Sequence, residues 1–276
     1  MSPAVAVGFV ALGAAVGAIG TIVGAGGGFI LVPALLLLEP RASPESVTAT
    51  SLLVVWANAT SGSLAYARQG RIDFRSGLWF AASAMPGAVA GALAVAWVPR
   101  RAFDLLFGAL LLIVGGWMGV RRWHEGIREP VRGRWVVTRE LRDREGNLFR
   151  YGYHFWKGIA LSSAIGFLSS LLGIGGGIIH VPAMVMALHF PVHVAAATSH
   201  FVLAFAAGEA TLVHAARGVI GWNETLARGA LLAAGAVPGA QAGAWLARRL
   251  PGHAIMRGLA VGLVLVAVRL LLLGAS

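Results

Sequence analysis

The sequence predicts an all-α integral membrane protein, a duplicated helical bundle of 8–10 transmembrane segments with broken or re-entrant glycine-rich stretches. Three observations carry that prediction. First, 58% of the 276 residues are hydrophobic, 12% are charged, and mean hydropathy is +0.78. Soluble domains carry about 25% charge, so the charge content is half of that norm. Second, the charge is clustered: residues 121–157 hold ten basic and five acidic side chains, and the other 239 positions share 12 and six. Third, the chain repeats itself in seven ordered blocks.

The first apolar run covers residues 3–38 with no basic stretch before it. A cleaved signal peptide needs that basic start, so the run is expected to remain as the first span. It is too long for one crossing and short for two, since a helix covers roughly 30 Å of hydrocarbon with about 20 residues. Gly26-Gly27-Gly28 interrupts it. Residues 47–67, 77–98 and 102–120 follow, each long enough for one crossing. Residues 121–157 then form a basic linker, placed in the cytoplasm by the positive-inside rule. Within it, Trp135-Val136-Val137-Thr138 and Leu148-Phe149-Arg150-Tyr151 flank a charged stretch and Gly146-Asn147 as a small β-hairpin would, and a solvated connector is expected. The second half repeats the first: a long run over 158–190 broken by Gly175-Gly176-Gly177, then runs over 192–216, 226–246 and 253–273.

The domain reading follows: residues 1–120 are a first transmembrane repeat, 121–157 the linker, and 158–276 a second repeat. Val32-Pro33-Ala34 matches Val181-Pro182-Ala183, Ala49-Thr50-Ser51 matches Ala197-Thr198-Ser199, and Gly70-Arg71-Ile72 matches Gly218-Val219-Ile220. Pro86-Gly87-Ala88, Gly91-Ala92 and Pro99 recur as Pro238-Gly239-Ala240, Gly243-Ala244 and Pro251. Four spans per half would make the repeats parallel, and five would make them inverted. With the linker inside, the parallel arrangement leaves Arg248, Arg249 and Arg257 outside, whereas the inverted one puts those three inside and leaves Arg217 and Arg228 outside. The charge distribution therefore leans to ten crossings and inverted repeats.

The glycine triplets are the first candidate site. Irregular backbone at membrane depth is tolerated only where protein buries it or where it lines a wet cavity. Three glycines with a proline five residues on favour a broken helix, and a helix restarting there aims N–H groups at an anion. Gly26, Gly27, Gly28, Gly175, Gly176 and Gly177 are expected to line a substrate, whereas Gly87, Gly91, Gly239 and Gly243 read as helix packing. Thr50, Ser51, Thr198 and Ser199 offer hydroxyl donors at equivalent places in both repeats, with capping or back-bonding as the alternative. Glu209, with His180 and His200, forms a candidate proton relay on one repeat only, because ionisable groups inside spans are costly to keep.

Other chemistries are excluded or unsupported. Zero cysteines removes disulfides and thiolate sites. The net charge of +11 sits at span ends and in the linker, so nucleic acid is not an expected partner. Neither glycine run is followed by the Lys-Ser/Thr of a phosphate loop, and no Gly-x-Ser-x-Gly elbow or paired metal-ligand histidines appear. No enzyme activity, cofactor or metal is expected.

A glycine triplet, Val-Pro about five residues on, Ala-Thr-Ser about 16 residues past that proline, and Gly-x-Ile before the next span resemble the TauE/SafE family, the sulfite exporter or toluenesulfonate uptake permeases. Here the pattern is Gly26–Gly28, Val32-Pro33, Ala49–Ser51 and Gly70–Ile72, and it recurs as Gly175–Gly177, Val181-Pro182, Ala197–Ser199 and Gly218–Ile220. The resemblance implies a multi-pass secondary transporter of the cytoplasmic membrane that exports sulfite, organosulfonates or related sulfur-containing anions. From the residues, proton coupling through Glu209 is expected. A permease for another small organic anion is the alternative, and a membrane-embedded enzyme a more distant one. Lipid, protons and the anion are the expected partners; the substrate, direction and oligomeric state stay open.

Overall fold

A computed structural model describes residues 2–39, 41–120, 133–221 and 224–274, which form ten α-helices and one β-hairpin. The first repeat holds α1 (Pro3–Val23), α2 (Gly28–Leu38), α3 (Pro44–Gln69), α4 (Phe74–Ala94) and α5 (Arg100–Val120). The hairpin strands are β1 (Val136–Arg142) and β2 (Leu148–His154). The second repeat holds α6 (Phe155–Leu172), α7 (Gly177–Ala187), α8 (Val192–Ala216), α9 (Glu224–Ala247) and α10 (Gly252–Gly274). Six described helices are long and apolar enough to cross a membrane: α1, α4 with its 3₁₀ extension to Trp97, α5, α6, α8 and α9. The fold is that of an all-α membrane protein.

Local sequence sets the helix ends. Ser43 precedes Pro44, and its hydroxyl accepts from Ser46 N–H at 3.2 Å, capping α3. Asp73 caps α4 in the same way through Ser76 N–H. Gly24, Gly70 and Gly173 close α1, α3 and α6 in the left-handed conformation that glycine adopts without steric cost.

Small residues bring helices into backbone contact. A Cβ on Gly13, Gly17, Gly239 or Gly243 would lie 2.0–2.5 Å from a carbonyl oxygen of Leu232, Ala236, Ala14 or Ala18, so α1 and α9 run side by side in one direction. Gly87 against Ser163 and Gly91 against Phe167 align α4 and α6 likewise, at 2.3 and 2.2 Å. Along α3 and α9, Ser46 meets Thr225, Ser61 Oγ donates to Val237 O, and Gln69 Nε2 donates to Ala244 O. These two helices are also parallel. In contrast, α3 and α8 are antiparallel, with Glu45 paired to Arg217 at one end and Gly62 packed on His200 midway. Thus α1, α3 and α9 point one way and α4, α6 and α8 the other. Exchanging each helix for its counterpart in the other repeat maps α1–α9 onto α6–α4, α3–α9 onto α8–α4, and returns α3–α8 and α5–α10 to themselves.

Of the linker, residues 121–132 lie outside the described residues. The remainder forms a hairpin in which β1 and β2 pair from Val136↔His154 to Arg142↔Leu148, with Tyr151, Tyr153 and Asp143 buried and several other side chains exposed. Val7, Leu212, Ile113 and Leu265 lie on the outside, more than 60% exposed, as side chains bathed in lipid would.

Candidate functional site

The two glycine loops meet each other. Gly24, Gly26 and Gly27 have φ of 73–84°, and Gly173, Gly175 and Gly176 have 68–74°. This left-handed run turns the chain back on itself. Gly28 packs on Gly173 and Ile174, where a Cβ would fall 2.7 Å from either carbonyl oxygen. Reciprocally, Gly177 packs on Gly24 and Ala25, with Gly24 O 2.2 Å from the same construction. Gly26 and Gly175 both face Val55 of α3. Gly27 and Gly176 are the N-caps of α2 and α7, neither with a side-chain cap. Every residue of both triplets is buried. A leucine at Gly27 would collide with Val16, whose carbonyl lies 2.7 Å from a Cβ, so it would test folding before it tested transport.

The hydroxyl pairs divide. Ser51 Oγ donates to Gly173 O at 2.6 Å and so joins the loop contact. Its counterpart Ser199 is buried with no partner for its hydroxyl. Thr50 Oγ1 back-bonds to Ser46 O at 2.9 Å, while Thr198 Oγ1 accepts from Asp73 N–H at 3.1 Å. Of the four hydroxyls, Ser51 alone bonds to a loop, whereas Thr50 and Thr198 are engaged toward opposite ends of the bundle.

His200 joins a buried network that sequence reasoning missed. Thr21 Oγ1 donates to Asn58 Oδ1 at 3.2 Å, and Tyr66 donates to Thr21 O at 2.7 Å. With the Thr21 proton committed, His200 Nε2, 3.2 Å away, is the donor to Thr21 Oγ1. Nδ1 is then a buried lone pair without a partner. In the other repeat Ser170 stands at the counterpart of Thr21, its hydroxyl buried and unpartnered. The signal was present: a hydroxyl three residues before the loop glycine, in both copies.

The three members of the candidate relay are not brought together. His180 lies against Phe80 and Ser162, with Nε2 3.1 Å from Ser162 Oγ. His200 faces α1 and α3. Glu209 is nine residues further along α8, which is half a turn out of phase and about 13.5 Å along the axis. Its Oε2 is buried and has no hydrogen-bond partner.

The ends of the bundle differ. At the start of α3, Leu35, Glu39, Ser46, Val47, Thr50 and Arg228 line a small open cleft of about 10 Å³. Arg228 pairs with Glu39 there. At the opposite end the hairpin covers the start of α8. Tyr151 donates to Asp73 Oδ2 at 2.8 Å, Tyr153 donates to Ser76 Oγ at 2.7 Å, and both rings pack on Phe190. Arg71 pairs with Asp143 and Glu145, each at 3.1 Å, and Arg248 reaches Glu145 from the second repeat. Burial and the Asp73 carboxylate push the Tyr151 phenol up, so it stays a donor. Burial would raise the Asp143 carboxyl, but hydrogen bonds from Asn147 and the Arg71 guanidinium outweigh it and hold the group below its ordinary value.

The family profile described as Sulfite exporter TauE/SafE matches residues 9–270. The chain belongs to that family. Among curated relatives of this TauE/SafE chain, the probable membrane transporter protein YunE of Bacillus subtilis is 31% identical over 268 residues, covering 95% of this chain and 96% of the relative. A probable membrane transporter protein of Xylella fastidiosa is 27% identical over 255 residues, covering 92% and 90%. No solved structure matches. A multi-pass membrane protein of a transporter family is therefore what the fold, the apolar helices and the relatives agree on.

Proposed function

We propose that this TauE/SafE chain is a secondary transporter that exports sulfite, an organosulfonate or a related sulfur-containing anion across the cytoplasmic membrane. The observation that carries the reading is the set of buried, unsatisfied polar atoms around the paired glycine loops. Ser199 Oγ, Ser170 Oγ, Thr48 Oγ1 and Asn58 Nδ2 are all donors without partners. Orphaned buried donors are rare and costly, and a passing oxyanion would satisfy them. The glycines of both triplets supply backbone at the same place, and Ser51 ties the second loop to α3.

The antiparallel run of α3 and α8 supports inverted repeats, with the basic linker on the cytoplasmic side and residues 1–120 and 158–276 as the two units. Small-molecule coupling to protons is assigned to Glu209 alone, since His180 and His200 stand on other faces. An unpartnered carboxylate oxygen in a span is unfavourable by about 2.5–3.5 kcal/mol on insertion scales, which argues for use. Export of an anion from a negative interior is electrically downhill, so a proton on Glu209 would reset the empty site.

The test is flux in proteoliposomes against sulfite, sulfate, thiosulfate, taurine, sulfoacetate and acetate. Transport of a sulfur oxyanion, reduced in Ser199→Ala, is expected; a wild-type protein that moves none of the sulfur compounds would refute the substrate class. Glu209→Gln should abolish dependence on a pH gradient, and a dependence that persists unchanged refutes the coupling role.

A further inference from the structure

The pocket at the start of α3 contains charge that the central site does not use. Arg228 of α9 and Glu39 at the end of α2 form an ion pair in its wall. Resting on the transporter reading above, we propose that Arg228 is the anion receptor at this mouth, and that the Glu39 carboxylate is a tethered stand-in that occupies it between transport events.

Four observations support this. A guanidinium presents N–H groups in a fork that fits any edge with two oxygens. One oxygen of the Glu39 carboxylate already sits against it, and sulfite and sulfonates present an edge of two. The pair is also exchangeable, because both side chains are about a quarter exposed, at 28% and 24%, and pairs in contact with water are weak. Moreover, Glu39 is the C-cap of α2, where the helix dipole disfavours negative charge. Arg228 offsets that penalty, which an exogenous anion would not incur. Finally, a further donor stands in the same wall. Ser46 lines the pocket, and its Oγ lies 3.4 Å from Thr225 Oγ1 just behind it; where Thr225 is the donor of that pair, the Ser46 O–H is available to an anion.

The mouth also connects to the centre. Glu39 ends the helix that Gly27 and Gly28 begin, a rigid element about 16 Å long. Release of Glu39 therefore frees the outer end of the segment whose inner end packs against Gly173. In the other repeat, Leu188 stands at the counterpart of Glu39, so the stand-in belongs to one end of the molecule only.

The test uses the full-length protein in phosphatidylcholine liposomes with sulfite supplied from the side of this mouth, opposite the linker, where an exporter releases its anion and reverse flux reads binding. Glu39→Gln should lower the apparent KM about five-fold with little change in maximal rate, since a competitor has been removed. Arg228→Gln should raise it at least ten-fold, and Arg228→Lys should fall between, keeping charge without the fork. The double variant should behave as Arg228→Gln alone. Equal KM changes of the same sign in Glu39→Gln and Arg228→Gln would make the pair a structural clamp and overturn the proposal. If the wild type transports none of the anions, the transport reading fails on its own. Calorimetric binding of sulfite to the detergent-solubilised protein then decides this site: binding lost in Arg228→Gln upholds it, and no wild-type binding overturns it. An Arg228 effect that appears only when phosphatidylglycerol is added would assign the site to a lipid phosphate and equally overturn it.

Discussion

Thr50 and Thr198 occupy the same place in the two repeats, yet one lines an open pocket and the other is sealed. Thr50 spends its hydroxyl proton on its own helix, at Ser46 O, and borders a cavity with an exchangeable ion pair. Thr198 receives the Asp73 N–H, and Asp73 in turn is held by Ser76 of α4 and by Tyr151 and Arg139 of the docked hairpin. Between these ends the glycine loops are reciprocal, Gly28 on Ile174 and Gly177 on Ala25. The difference teaches that the repeat is kept where the two copies must touch and is lost where each meets its surroundings. Close backbone contact admits one residue type, whereas a bundle end accepts either a charged mouth or a cover.

The comparison breaks first at the centre. Gly177→Ala and Gly28→Ala should both destabilise the protein strongly, by about 3 kcal/mol or more, because each new Cβ would meet backbone rather than a yielding side chain. Thermal unfolding in detergent should rank Gly177→Ala as the worse, its approach being 2.2 Å against 2.7 Å. A mild effect at only one of them would mean that the loops are not equivalent.

The two ends should respond unequally to loss of an acid. Asp73→Ala removes an α4 cap and leaves the buried Tyr151 hydroxyl and Ser76 N–H unsatisfied, so a loss of about 3 kcal/mol is expected. Glu39→Gln, at the half-open mouth, should cost less than about 1 kcal/mol. Denaturation by heat or by graded detergent reads both.

Acid should act on the covered end as well. Because the folded Asp143 carboxyl lies below its ordinary value, its contribution is complete above about pH 4. It is lost as pH falls through the lower folded value. Limited proteolysis of the hairpin should therefore show protection at pH 7 and 5 that is progressively lost as pH is lowered below about 4, with Asp143→Asn reducing the difference. The smallest contrast is between the threonines themselves. Thr198→Ala strands the Asp73 N–H and should cost about 1 kcal/mol, whereas Thr50→Ala loses only a back-bond and should stay within about 0.5 kcal/mol.

Much of this architecture is legible in the chain as written. Apolar runs of about 20 residues have one use in a polypeptide, and a triplet followed at a fixed distance by Val-Pro twice over marks two broken segments. The left-handed loops at Gly24–Gly27 and Gly173–Gly176 follow because only glycine adopts that conformation at no steric cost. Thr21 and Ser170 were legible too, as hydroxyls at one spacing from the loops, although they were passed over. Arg228 was read only as a charge outside the membrane and Glu39 not at all, since nothing along the sequence says that residues 189 positions apart form a pair.

What the sequence determined by itself is everything that rests on local chemistry and on the solvent: the membrane, the spans, the repeat and the points where helices break. Tertiary structure alone decided which copies of a repeated group remain free. Ser51 is satisfied and Ser199 is not, Thr50 faces a cavity and Thr198 a hairpin, and His180, His200 and Glu209 fall on three different faces. The physical reason is that a hydrogen bond or an ion pair needs its partner within about 3 Å. In a bundle that partner comes from a helix distant in sequence, set by how two surfaces of small residues happen to register.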